Sequence, residues 1–216
     1  MTTSSMKHET LPYLLPVILA AWFLVILGLS INQFFIPERG IPPFNLLTTG
    51  VISISTFFLA YWKISQFRAY ILNLDMRLLV MLHSWRTLGL GFIFLYYVEE
   101  LPALFAYLAG LGDAIVAVTA VFLAYRMFTN KNGITKKLIQ RWNTFGIIDF
   151  IIAVSIGVLT QTDAIFYNSS GIDSDLMTQF PFVLIPSFLV QLFTLTHIII
   201  YLQLTNKYSN QSTIRF

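Results

Sequence analysis

Five side chains that ionise or bind metal stand inside long apolar stretches of this sequence: His83, Arg86, Asp113, Asp149 and His197. A charged group at the centre of a membrane helix costs about 2.5–3.5 kcal/mol on insertion scales, so such groups usually face the bundle interior and find a partner there. Two kinds of chemistry fit these residue types. Arg86 with Asp113 and Asp149 makes an ion-paired site. One guanidinium neutralises one carboxylate, so the second requires a proton, a charged histidine or a bound cation. Alternatively, His83 and His197, single histidines on two different helices at similar depth, make a pair of the kind that ligates a b-type haem. The chain has no cysteine, which excludes disulfides, thiolate metal sites and a cysteine nucleophile. It also lacks a G-x-x-x-x-G-K phosphate loop, an H-E-x-x-H helix and a G-x-S-x-G elbow, so no metal site is expected.

Depth follows from helical rise. Counted from the cation-rich end at 1.5 Å per residue, His83, Arg86, Asp149 and His197 come out roughly 8–13 Å in, and Asp113 roughly 18 Å in. His83 and Arg86, three residues apart, share a helix face. The expectation is one polar cluster built from three helices in one leaflet, with Asp113 deeper, near the midplane. Small residues flank both acids: Ala106, Ala109, Ala117, Ala120 and Ala124 around Asp113, and Gly146, Ala153 and Gly157 around Asp149. Spacings of three and four put each set on one face, where another helix can approach closely. Such faces also offer a route to a homo-oligomer or a membrane partner.

The elements that must position these groups are membrane spans. The chain is 56% apolar and 11% charged, with a mean hydropathy of +0.73, against about 25% charged residues in soluble proteins. Stretches of about 20 apolar residues, the length a bilayer requires, run over residues 11–35, 44–62, 78–98, 102–125, 143–160 and 180–204. Eleven of the 13 Lys and Arg residues fall on one side of these spans, the exceptions being Arg39 and Arg86. Cations mark the cytoplasmic side, which places both termini in the cytoplasm. The same sorting accounts for a pI of 9.2 without any nucleic-acid partner; the lipid bilayer is the partner expected. The fold class is an all-α, polytopic bundle of six transmembrane helices, one domain over residues 1–216.

Two patterns are weaker. Trp85-Arg86-Thr87-Leu88-Gly89 and Trp142-Asn143-Thr144-Phe145-Gly146 echo each other at corresponding places in spans three and five, as in a parallel hairpin repeat. Asn168-Ser169-Ser170 is formally a glycosylation sequon.

The segments Trp85-Arg86, Leu101-Pro102-Ala103-Leu104-Phe105 and Ala109-Gly110-Leu111-Gly112-Asp113, continuing through Trp142, Gly146, Asp149, Ala153, Gly157, Pro181, Pro186 and His197, resemble an uncharacterised group of bacterial multi-pass membrane proteins. The group usually has Gln near the position of His83, a departure that weakens a two-histidine haem site. The resemblance implies a bacterial inner-membrane location and brings no activity with it.

Three functional readings follow. The first is a small transporter or channel-like protein, its Arg86, Asp113, Asp149, His197 and His83 forming a polar relay or binding site for a proton, cation or small solute. The second is a non-enzymatic structural or assembly protein, its buried charges locking helices together. The third is an electron carrier with haem b on His83 and His197. The short loops offer no catalytic constellation, which points away from an enzyme without deciding the matter.

Overall fold

A computed structural model describes residues 11–130, 132–166 and 171–216; Lys7, Lys131 and the Asn168 sequon lie outside them. Among the described residues, six helices are long and apolar enough to cross a membrane: Leu14–Ile31, Phe44–Lys63, Met76–Tyr97, Ala103–Thr129, Lys136–Leu159 and Ile185–Asn206. In hydrocarbon every backbone N–H and C=O must bond within the protein, and a helix meets that demand with its own chain. The protein is an all-α polytopic membrane bundle.

In chain order the helices are α1 (Leu11–Ile31), α2 (Phe44–Lys63), α3 (Ser65–Asn73), α4 (Met76–Leu82), α5 (Leu90–Tyr97), α6 (Ala103–Thr129), α7 (Lys136–Leu159) and α8 (Val190–Asn206). Two spans are not uniform α-helix. Span three is α4 and α5 joined by a 3-10 stretch, His83–Gly89, and span six opens with a π-helical turn, Ile185–Leu189, ahead of α8. Pro186 lies in that turn and has no N–H to give to a regular α-ladder.

Several boundaries differ from the sequence expectation. The cation-rich connections are shorter than charge alone implied, because α6 continues through Arg126 to Thr129 and α7 already begins at Lys136. Long basic side chains are compatible with helix ends at an interface, where their stems lie on apolar surface and their heads reach water. The connection after span two carries a helix of its own, α3. The polar C-terminal tail folds back: Thr213–Ile214 pairs antiparallel with Ile134–Thr135, and Ile214 is completely buried. The echo of spans three and five is not structural. Trp85 sits in 3-10 backbone and is 64% exposed, whereas Trp142 is on regular α-helix and 8% exposed.

The centre of the bundle is α6, whose small residues let its neighbours approach. Ala106, Ala109, Ala117, Ala120 and Ala124 are all buried, against span three on one side and α7 on the other. On α6 this face is used inside the chain. Span one is peripheral: Trp22 and Phe23 pack on Phe188 of the π-turn, and most of the helix is left for lipid. Connections segregate by end. Lys207 reaches Asn73 and Lys136 reaches the carbonyls of Tyr208 and Ser209 at one end, while Arg39 pairs with Asp163 at the other.

Candidate functional site

The 3-10 stretch of span three is what aligns the site. Three residues per turn place positions i and i+3 directly above one another, so His83, Arg86 and Gly89 form one buried row. An α-helix would rotate each successive member of that row away. The hydroxyl of Thr87 donates to the carbonyl of Ser84, an i to i−3 bond that suits the tighter winding.

Arg86 is 2% exposed and reaches three other spans. Its Nε donates to Oδ1 of Asp113 on α6 at 2.7 Å, and Nη2 donates to Oδ2 of Asp149 on α7. Nη1 faces Nε2 of His197 on α8 at 3.2 Å and the carbonyl of Gly146 at 3.4 Å. The guanidinium carbon lies 3.7 Å over the ring of Phe150, a cation–π contact strengthened by desolvation. Asp113 therefore belongs to the same cluster: one guanidinium touches both carboxylates. A side chain as long as arginine spans the depth difference that counting along the helix axis suggested.

The histidines continue the network. His197 Nδ1 lies 2.8 Å from Oδ1 of Asn143, and the amide nitrogen of Asn143 donates to the His197 carbonyl at 3.1 Å. The His83 ring stacks on that of His197 with centroids 3.9 Å apart and 29° between planes. Trp142 and Phe193 wall His83. Thr196 donates its hydroxyl proton to the Phe193 carbonyl, so its oxygen accepts from His83 Nε2 at 3.0 Å. His83 Nδ1 is buried without a partner. That atom therefore carries a lone pair, since a buried cationic N–H with nothing to bond would be costly.

Three glycines make the close approach possible, among them Gly89, where a Cβ would run into Asp113. A Cβ on Gly112 would run into the carboxylate of Asp149, and one on Gly146 would run into the imidazole of His197. Gly112 lets α7 bring its acid against α6, and Gly146 gives the imidazole its place against α7.

Two cavities adjoin the cluster. A space of about 290 Å³ lies among spans two to six, with largely apolar walls that include Leu47, Ile54, Phe105 and Val154. Asp113 and Gln191 bring polar atoms to it. A second space of about 20 Å³, beside Arg86, Gly89 and Phe193, also has Asp113 in its wall; that is room for about one water. Asp113 lines both cavities and Asp149 lines neither.

The histidine pair does not fit a haem as arranged. Axial ligation needs the two imidazoles on opposite faces of the macrocycle, each pointing a nitrogen at the iron. Here the rings lie face to face at 3.9 Å, with no space for a porphyrin between them. Both Nε2 atoms are also engaged, one by Arg86 and one by Thr196. Among the described residues no three of His, Asp, Glu or Cys converge as a metal-ligand group.

All five residues singled out from the sequence meet here. Three contributors were not anticipated: Asn143, Phe150 and the close-approach role of Gly112. Asn143, Gly146 and Phe150 follow one another at three and four residues, the spacing of one helix face, and that was the signal available for them. Neither the curated proteins nor the solved structures contain a match to the chain. A family model described as a domain of unknown function, DUF8737, matches residues 42–205, from the threshold of α2 almost to the end of α8 and so including every residue of the cluster. The chain belongs to that family.

Proposed function

We propose that this protein is a small proton-coupled transporter of a bacterial inner membrane, acting as one six-helix domain with its cation-rich end and both termini in the cytoplasm. The observation that carries the reading is a surplus of negative charge at a buried site: two carboxylates share one guanidinium, and the neighbouring histidines are bonded as neutral rings. Burial makes an uncompensated carboxylate expensive, so a further positive charge belongs to the site, and a proton is the smallest that fits. Asp113 is the exchanging group in this account, because it alone of the two acids borders the cavities. Arg86 holds both acids in place, Asp149 is its fixed counter-charge, and His197, held by Asn143, orients the guanidinium. His83 packs and positions His197.

The larger cavity suggests the cargo. Its walls are mostly apolar, and at about 290 Å³ it has nearly twice the volume of the roughly 150 Å³ apolar cavities that take up one benzene. A small, largely apolar solute suits it. Interrupted helices support movement around the site: the 3-10 stretch carries Arg86, and the π-turn contributes Ile185 and Pro186 to the cavity wall. Mid-helix departures of this kind often mark hinges and functional sites.

The competing reading is a static staple, favoured by the fact that Arg86 ties together spans three, four, five and six. Reconstitution separates the two. Proteoliposomes carrying the wild type should dissipate an imposed pH gradient when a transported solute is present, and Asp113→Asn should abolish this in a protein that still folds. Gradient dissipation undiminished in Asp113→Asn would refute proton coupling there. Cysteines placed at Lys137 and Gly171 test the orientation, the first being expected to label from the cytoplasm and the second from outside.

A further inference from the structure

On the outer surface of the bundle, away from the charge cluster, α6 and α7 enclose a groove of about 440 Å³ near the cation-rich end. Its walls are Ile115, Phe122, Leu138 and Phe145, all large, apolar and exposed. Trp142 closes its floor, with Nε1 donating to the hydroxyl of Thr119 at 3.1 Å. Arg126 and Arg141 also line it. An apolar trough that carries two arginines has the polarity of a phospholipid, acyl chain along the trough and phosphate at the arginines.

Some cations at this end are engaged, and among those that are not, Arg126 and Arg141 are the two that border the groove. Arg77 forms a salt bridge with Asp75 at 2.6 Å and lies over Phe128. Lys136 donates to two backbone carbonyls, and Lys207 reaches Asn73. Arg126 and Arg141, by contrast, have neither a carboxylate nor a carbonyl partner among the described residues. Two guanidiniums on facing helices, both bordering one groove, offer the forked donor geometry that grips a phosphate. Basic pockets between transmembrane helices at an interface are a recurrent site for anionic headgroups.

We propose that the groove between α6 and α7 binds an anionic phospholipid, with Arg126 and Arg141 holding its phosphodiester and Phe122, Phe145, Ile115 and Leu138 covering its acyl chain. A zwitterionic lipid has the same phosphate but brings a cationic choline or ethanolamine beside the arginines, so the site discriminates by net headgroup charge. The inference is independent of transport: it uses none of the charged residues of the buried cluster and shares with it only Trp142, whose ring also walls His83.

The test is native mass spectrometry of the purified full chain, released from detergent micelles containing equal phosphatidylglycerol and phosphatidylcholine. One bound phosphatidylglycerol should be retained in preference to phosphatidylcholine. At about fivefold per arginine, the preference should fall roughly 25-fold in Arg126→Gln/Arg141→Gln and by part of that in each single variant. Lys63→Gln/Arg68→Gln, which removes two cations at the same end but outside the groove, should leave it unchanged. Thermal melting of the same proteins gives a second readout, with phosphatidylglycerol stabilising the wild type and not the double variant. Equal retention of both lipids by the wild type would overturn the proposal, as would a preference that survives loss of both arginines or is lost equally in the control. Displacement of the lipid by millimolar inorganic phosphate would show a free-phosphate site instead and overturn it too.

Discussion

Nη1 of Arg86 stands 3.2 Å from Nε2 of His197, and this contact fixes the state of the imidazole. A guanidinium can only donate, so Nε2 must accept and the ring proton must sit on Nδ1. The Asn143 oxygen 2.8 Å from Nδ1 agrees, because the amide nitrogen of Asn143 is already donating to the His197 carbonyl. His197 is neutral here. It cannot supply the charge that balances the second carboxylate, and the imbalance falls on Asp113 and Asp149.

Protein labelled with 15N at histidine should therefore show His197 as the Nδ1–H tautomer with an unprotonated Nε2. Asn143→Leu removes the acceptor that reinforces this and should move the Nδ1–H resonance while leaving Nε2 unprotonated against Arg86. A doubly protonated His197 in the wild type would remove the charge surplus from the account.

Arg86→Leu leaves two buried carboxylates without a partner and should destabilise the fold by about 3–5 kcal/mol, the range for orphaning one member of a buried pair. The double variant Arg86→Leu/Asp149→Leu should recover part of that in thermal melting, the coupling expected of residues in direct contact. Transport should stay absent in the double variant. Regained transport together with regained stability would reduce Arg86 to a staple.

Gly112→Ala and Gly146→Ala should each cost about 1–3 kcal/mol, the usual price of overpacking, since the added methyl meets Asp149 in one case and His197 in the other. Gly91→Ala, where the methyl meets nothing within 4 Å, should be neutral or stabilising through better helix propensity. Equal melting temperatures for all three would mean that α6, α7 and α8 pack less closely than described.

At the cation-rich end, Asp75 caps α4 by accepting from the backbone N–H of Arg77. The side chain of Arg77, bonded to it, holds the Asp75 carboxyl below its ordinary value of 3.8, and the same backbone bond adds to the effect. A depressed folded-state value means that the stabilisation is complete above that ordinary value and is lost as pH falls below it. Asp75→Ala should cost about 0.5–2 kcal/mol at neutral pH, as loss of a helix N-cap does. Its stability should change less with acidification below pH 4 than that of the wild type, and denaturation followed across that range checks it.

The spans were legible because hydropathy and the length a bilayer demands leave little choice. The Ala106–Ala124 stripe was legible because its spacing matches a helix. What charge and hydropathy do not encode is winding. Nothing in His83-Ser84-Trp85-Arg86 announces 3-10 backbone, yet that winding brings His83, Arg86 and Gly89 into one row. Depth counting tracks backbones and ignores the reach of Arg86, so it did not show that Asp113 meets the same guanidinium as Asp149. The stacking of His83 on His197 depends on the rotation of two helices, which a matched depth cannot supply, so a haem pair and a packed pair read alike from sequence. The return of Thr213–Ile214 onto Ile134–Thr135 was hidden in a tail with no long apolar run.

The central claim is a proton on Asp113 beside Arg86, and infrared spectroscopy of the reconstituted protein observes it directly. The wild type should show the C=O stretch of a protonated, buried carboxyl that shifts on exchange into heavy water. That band should vanish in Asp113→Asn, and in Asp149→Asn too, where Arg86 alone balances the one carboxylate that is left. A wild type without the band, or a band that survives Asp113→Asn, would contradict the account.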